Sequence, residues 1–170
     1  MRRKALLAAR VREGHNLSIS RYAEGCGVDF FALAEAQGLE GIVAKRKSGL
    51  YHIGRRTRDW IKIKVMQDED LLVCGYQPDG EGRVKDLILG RYNAAGALEC
   101  RGKVYLGVSG ADKRLVEEFA RGNRVKKPWF PKYKNAVWLR PALVGTAHFM
   151  QETASGSMRQ PVFKGIRTDG

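Results

Sequence analysis

The chain has 170 residues, with 31 Lys and Arg against 18 Asp and Glu and a formal net charge of +13. With 44% hydrophobic residues and only five prolines it has the composition of a folded protein of one or two small domains, not of a disordered chain. So large a positive excess points to a polyanionic partner, nucleic acid before an anionic membrane surface, and no apolar run is long enough to span a bilayer. The start, Met1-Arg2-Arg3-Lys4-Ala5-Leu6-Leu7, sets basic residues before apolar ones, but Arg10 and Arg12 break the apolar stretch too soon for a signal segment, so export is not expected. Cys26, Cys74 and Cys100 are widely spaced and form no Cys-x-x-Cys pair, which predicts reduced thiols in a bacterial-type cytoplasm and no zinc site.

Residues 2–11 carry Leu6, Leu7 and Val11 at helical spacing, and residues 17–22 alternate like a short strand. Asp29 is placed to cap a helix with Phe30, Leu33 and Ala34 on its apolar face, and Gly38 to end it. Residues 39–45 read as a strand. Residues 60–66 alternate strictly, with Trp60, Lys62 and Lys64 on one side and Ile61, Ile63 and Val65 on the other, so one face is expected in a core and the other is cationic. Gln67-Asp68-Glu69-Asp70, an acidic patch in a basic chain, reads as a linker and domain border. Beyond it, residues 71–77, 86–92 and 98–108 predict a three-stranded meander, punctuated by the turn signals Pro78-Asp79-Gly80 and Asn93-Ala94-Ala95-Gly96. Ser109 with Asp112 three residues on resembles a capping box, opening a helix striped by Leu115, Val116, Phe119 and Ala120 and stopped by Gly122. Strands at residues 136–139 and 143–152 complete an order of three strands, helix, two strands, which is that of an OB-fold barrel.

Three groups of residues could carry chemistry. Residues 45–64 hold eight Lys or Arg, among them Lys45, Arg55, Arg56 and Arg58, against the single acid Asp59. Lys62 and Lys64, two positions apart on one strand face, start about 7 Å from each other, a spacing that suits neighbouring phosphate oxygens. The same spacing also describes a solvated outer strand face with Trp60 half-packed. Glu40, next to this cationic stretch, could hold a divalent ion or pair with a nearby arginine. Residues 121–134 hold six basic residues and no acid, interleaved with Trp129, Phe130 and Tyr133. Arg124, Lys126, Lys127 and Lys132 there suit a sugar-phosphate backbone, while the aromatics could stack on bases or merely cover the barrel. Cationic contacts of this kind position a protein on any duplex, so binding should be sequence-independent and weakened by salt.

Taken in order, Glu40-Gly41-Ile42-Val43-Ala44-Lys45, the stretch Tyr51-x-x-Gly54-Arg55-Arg56-Thr57-Arg58-Asp59-Trp60-Ile61-Lys62-Ile63-Lys64, and Pro161-x-Phe163-x-Gly165-x-Arg167-x-Asp169 resemble motifs IV, V and VI of ATP-dependent DNA ligases. The likeness extends through nearly the whole chain and is nearest to the ligase domain of bacterial DNA ligase D, an end-joining enzyme. It implies a mainly β fold with short helices, residues 1–66 closing a nucleotidyltransferase domain and residues 67–170 forming an OB-fold domain. It implies that Glu40 helps place Mg²⁺ or Mn²⁺, that Lys62 and Lys64 contact the ATP α-phosphate with Lys45 near the nucleotide, and that Arg167, with Asp169, orients the β- and γ-phosphates. It further implies sealing of nicks and ends in duplex DNA through lysine-AMP and DNA-adenylate intermediates in DNA repair, with a Ku-type protein and a polymerase domain as partners.

The resemblance also exposes a gap. No Lys-x-Asp-Gly motif, which would supply the adenylated lysine, occurs in the 170 residues, and Gly170 stands where the family pattern has lysine. These residues are therefore expected to be inactive without an amino-terminal half. The alternatives are a non-catalytic OB-fold DNA-binding module, or a related RNA ligase or capping-type nucleotidyltransferase, against which the residue 51–64 and 161–169 blocks weigh.

Overall fold

In the computed structural model, which describes residues 2–167, the chain divides between Val65 and Met66 into two units. The amino-terminal unit opens with α1 (Arg2–Arg10). Residues 17–22 form no strand: beyond an isolated Gly14 and Leu17 bridge, the Glu13 carboxylate accepts the Ile19 N–H at 2.6 Å and the Arg21 guanidinium at 2.8 Å. A side chain thus supplies the bond that a partner strand would otherwise make. The next helix, α2 (Gly27–Ala36), starts before the expected cap, so Asp29 lies in its first turn, where its charge suits the helix dipole, and Cys26 holds the cap position. Then β1 (Gly41–Lys45) and β2 (Trp60–Lys64) pair as an antiparallel hairpin with Ile42 opposite Ile63. The expected core face is not buried: Ile61 is 55% and Ile63 40% exposed, and Ala34 is the one buried hydrophobic residue among those described in this unit. Two short helices and a two-stranded hairpin provide no second layer to cover that face.

The carboxy-terminal unit is built on β3 (Gln67–Pro78), β4 (Val84–Tyr92) and β5 (Leu98–Val104), an antiparallel meander as the turn signals indicate. The acidic run at residues 67–70 is the first part of β3 rather than a linker. There follow α3 (Gly110–Asn123), which runs through Gly122 to Asn123, then β6 (Arg124–Val125), β7 (Val137–Leu139), β8 (Val144–Phe149) and β9 (Val162–Ile166). The sequence pattern does not anticipate β6 or β9. The strand path is β5-β4-β3-β7-β6, with β8 paired to β3 and β9 to β8, so the sheet of described residues stays open instead of closing into the expected barrel. Leu71, Val73, Leu87, Leu89, Phe149 and Phe163 form the main core with Val116 and Ala120 of α3. The alternate residues Cys74 and Ile88 pack with Phe130 and Trp138, whose rings meet edge to face at 5.9 Å. Burial, with Cys100 nearby, pushes the Cys74 thiol up to about 12, so it packs as an apolar group and not as a nucleophile.

The capping box forms at α3. Ser109 Oγ accepts the Asp112 N–H at 3.1 Å, and Asp112 Oδ2 accepts the Ser109 N–H at 2.9 Å. The other oxygen of Asp112 accepts the Ile166 N–H at 3.0 Å, tying the helix start to the end of β9. Burial works to raise the Asp112 pKa, but the bonds from the Ser109 hydroxyl, the Ile166 N–H and the Ser109 N–H together hold it below the usual aspartate value. A depressed folded-state pKa stabilises the fold above the unfolded value near ~3.9, and this contribution is lost as pH falls through the folded-state pKa. Asp112→Ala is expected to destabilise the unit by about 1–2 kcal/mol at pH 7 in urea unfolding, with the gap from wild type closing below about pH 4. A gap that persists at pH 2 would show that the carboxylate charge is not the stabilising feature.

Candidate functional site

The hairpin register places the predicted cations. Lys62 stands opposite Val43, Lys64 opposite Gly41, and Lys45 opposite Trp60, so all three lysines share one face of the hairpin. All five residues of β2 are exposed, which leaves the Lys62 and Lys64 side open to solvent. Lys45 is differently engaged: its Nζ lies 4.3 Å from the Trp60 ring centroid, and Trp60 in turn meets Tyr51 at 6.4 Å between centroids. It marks the far end of the ladder from Lys64, roughly 13 Å along the strand at ~3.3 Å per residue. In the connecting loop, residues 46–59, Arg46 pairs with Asp59 at 3.3 Å and Lys47 with Glu24 at 2.6 Å, while Arg55, Arg56 and Arg58 are exposed.

Gly41 sets how closely the two strands meet. Its φ is +132°, and a Cβ there would stand 2.1 Å from the Ile63 carbonyl oxygen and 2.8 Å from Lys64 Cα. No side chain fits without moving the strand that carries Lys62 and Lys64. Just before it, the Glu40 carbonyl accepts the Val65 N–H at 3.0 Å and extends the backbone ladder by one step beyond Gly41 and Lys64. Among the described residues no group of three or more His, Cys, Asp or Glu could hold a metal ion.

Arg167 belongs to the carboxy-terminal unit. Its guanidinium bonds to Asp70, and its N–H donates to the Val144 carbonyl at 2.8 Å. Asp70 also accepts the Thr146 hydroxyl at 2.7 Å, and these two bonds, Thr146 first, hold its carboxyl below the usual aspartate range. Asp169 lies outside the described residues. Sequence reasoning missed Asp70 and Thr146 because their meeting depends on strand register across 76 positions, although the acidic run itself was visible.

The basic loop of the same unit divides by burial. Phe130 is buried and Tyr133 half-buried in the second core cluster, and the Trp129 indole N–H donates to the Leu139 carbonyl at 2.7 Å, so the aromatics chiefly cover the sheet. Arg124, Lys126, Lys127 and Lys132 are exposed; Arg124 also reaches the Tyr76 hydroxyl at 3.4 Å. The loop presents cations over an aromatic base in which Phe130 is buried while Trp129 stays 36% exposed.

Comparisons with known proteins agree along the chain. Residues 1–64 match the family described as ATP dependent DNA ligase domain, and residues 80–170 match ATP dependent DNA ligase C terminal region. The multifunctional non-homologous end joining protein LigD of Mycolicibacterium smegmatis is 28% identical over 99% of this chain, and its counterpart in Pseudomonas aeruginosa is 33% identical over 83%. The chain spans only 23% and 18% of those proteins. Among solved structures, the ligase domain of Mycobacterium tuberculosis LigD aligns over 99% of this chain and 56% of its own length, with a TM-score of 0.60 and 26% identity. A mycobacterial DNA ligase D complexed with ATP and MES aligns over the same shares with a TM-score of 0.53 and 26% identity.

The close approach at Gly41 can be checked directly. Gly41→Ala is expected to shift the backbone amide signals of Ile42, Ile63 and Lys64 in a ¹H–¹⁵N spectrum while leaving those of β3 to β5 in place. An unchanged hairpin spectrum would show that the strands do not meet there as described.

Proposed function

The chain belongs to the ATP-dependent DNA ligase family, and we propose that it supplies the carboxy-terminal part of a ligase catalytic core, residues 1–66 ending the nucleotidyltransferase domain and residues 67–170 forming the OB-fold domain. The overall reaction is sealing of nicks and breaks in duplex DNA, with ATP as the source of AMP, in end-joining repair beside a Ku-type protein and a polymerase domain. The observation that carries this reading is the exposed row of Lys62 and Lys64 on β2, set in register by Gly41. Fixed cations stabilise the charge that builds on phosphate oxygens as AMP is transferred, and they do so most effectively when held in place before the reaction.

In this reading Lys62 and Lys64 take the α-phosphate, Lys45 stands at the nucleotide end of the row, and Arg167 with Asp169 takes the β- and γ-phosphates. Glu40 would hold Mg²⁺ or Mn²⁺, which when bound neutralises phosphate charge. Arg55, Arg56, Arg58, Arg124, Lys126, Lys127 and Lys132 neutralise backbone phosphates of the duplex. Covalent catalysis needs a nucleophilic lysine, and the 170 residues contain no Lys-x-Asp-Gly. The nucleophile then comes from another stretch of polypeptide, and the uncovered apolar side of the hairpin, Ile61 and Ile63, is the surface such a stretch would cover.

The test is binding of the 170-residue chain to a 5′-phosphorylated nicked duplex across a salt series, with sealing followed on gels in ATP and Mg²⁺. Salt-sensitive binding without sealing is expected, and the Lys62→Ala/Lys64→Ala variant should bind more weakly, with a log–log salt slope shallower by about 0.9 for each phosphate that is no longer neutralised. Sealing by these residues alone would refute the missing-nucleophile reading, and a lack of binding at low salt would refute DNA contact.

A further inference from the structure

Arg167 is held at three points within the carboxy-terminal unit. Gly165, with φ of +143°, bends the chain just before it; Ile166 N–H is bound by Asp112 of the α3 cap; and Arg167 N–H is bound by the Val144 carbonyl of β8. Its guanidinium then meets Asp70. That carboxylate does not wander: Asp70 stands opposite Thr146 in the β3 and β8 register, Thr146 stands opposite Gly165 in the β8 and β9 register, and the Thr146 hydroxyl donates to Asp70 Oδ1 while Arg167 takes Oδ2. The other acid on this face of β3, Asp68, is occupied by His148 at 2.6 Å. Asp70 is thus the carboxylate that the sheet register offers to Arg167.

We propose that Asp70, fixed by Thr146, is a positioning residue that holds the Arg167 guanidinium ordered until a polyphosphate group displaces it. This rests on the reading of Arg167 as a phosphate-binding group. The pair is suited to exchange because both side chains remain nearly half exposed, at 47% and 43%, and ion pairs so placed are weak. A polyphosphate carries several negative charges and can engage the planar guanidinium through two parallel bonds, so it outcompetes a single carboxylate oxygen. Until then the guanidinium keeps one orientation and its charge keeps a counter-ion, which prevents it from pairing with other acids.

The experiment measures calorimetric binding of inorganic tripolyphosphate to the 170-residue chain at constant ionic strength, alongside the ¹⁵N signal of the Arg167 Nε–H. Arg167→Ala should weaken binding. Asp70→Asn should tighten it about threefold, as expected when a weak exposed competitor is removed, and Asp70→Glu should stay near wild type. Thr146→Val, which frees the carboxylate, should shift binding in the same direction as Asp70→Asn by a smaller factor. In the Arg167→Ala background Asp70→Asn should have no effect, and tripolyphosphate should move the Arg167 Nε–H signal toward that of Asp70→Asn. Equal tightening in both backgrounds would mean a general charge effect and overturn the proposal, as would weaker binding by Asp70→Asn. If Arg167→Ala leaves binding unchanged, the phosphate reading of Arg167 fails and the proposal falls with it; the Nε–H signal would still report whether Asp70 holds the guanidinium, so the two failures are distinguishable.

Discussion

Three strands share the two edges of β3, and the rest of the carboxy-terminal unit follows from how they divide it. β4 runs along one edge, while the other is split, β8 taking residues 67–72 and β7 taking Gly75 and Tyr76. Because side chains alternate across a strand, this division assigns each acid at its start to a face. Asp68 and Asp70 turn to the side of His148, Thr146 and Arg167, and Glu69 turns to the side of Arg91 and Arg101. A run that looks in sequence like a polar linker is a strand in which each carboxylate has a basic partner.

Glu69 carries the larger consequence. Arg101 is 1% exposed, and a guanidinium so enclosed must be paired and hydrogen-bonded. Burial disfavours its charge, yet bonds to Glu152 and Glu69 outweigh that and raise its pKa. Arg101 binds Glu69 at 2.6 Å, Glu152 at 2.7 Å and the Gly156 carbonyl, and its own carbonyl accepts the Met158 N–H at 2.9 Å. One buried cation on β5 therefore ties β3 to the turn around residues 152–158, from which the chain enters β9. The position of Arg167 is thus set through β3 twice, by Glu69 through that turn and by Asp70 at the guanidinium itself.

Local signals were legible where the bonds they require are local. The meander turns, the Ser109 and Asp112 capping box and the strand at residues 60–64 form as their spacing indicates, although the apolar side of that strand is not buried. Residues 17–22 have a strand pattern but lose to Glu13, whose carboxylate satisfies the Ile19 N–H within six residues. β9 carries Val162, Phe163 and Ile166 but is interrupted by Lys164 and Gly165, so its pairing with β8 is decided by register and not by pattern. Arg101 could not be recognised as buried, because nothing near it in sequence announces the two glutamates that neutralise it. At the site, the lysine row was visible from alternation alone, whereas the opposition of Gly41 to Lys64, and the stacking of Lys45 on Trp60, depend on a loop of fourteen residues closing in one register.

The two units also differ in what holds their charged groups still. In the carboxy-terminal unit Arg167 rests on a buried sheet and a capped helix. In the amino-terminal unit the β1 and β2 hairpin is exposed on both faces, and an isolated two-stranded hairpin is marginal in water. Its order comes from local contacts: the close approach at Gly41, the Lys45, Trp60 and Tyr51 stack, and the Arg46 and Asp59 pair that closes the loop. These fix where Lys62 and Lys64 emerge, while the Ile61 and Ile63 side of β2 stays exposed among the described residues. Electrostatic stabilisation of a phosphoryl-transfer transition state demands cations that need no rearrangement during the reaction. The proposed role of Lys62 and Lys64 therefore requires that the Ile61 and Ile63 side be covered, since the same covering that buries those isoleucines would hold the lysine row rigid.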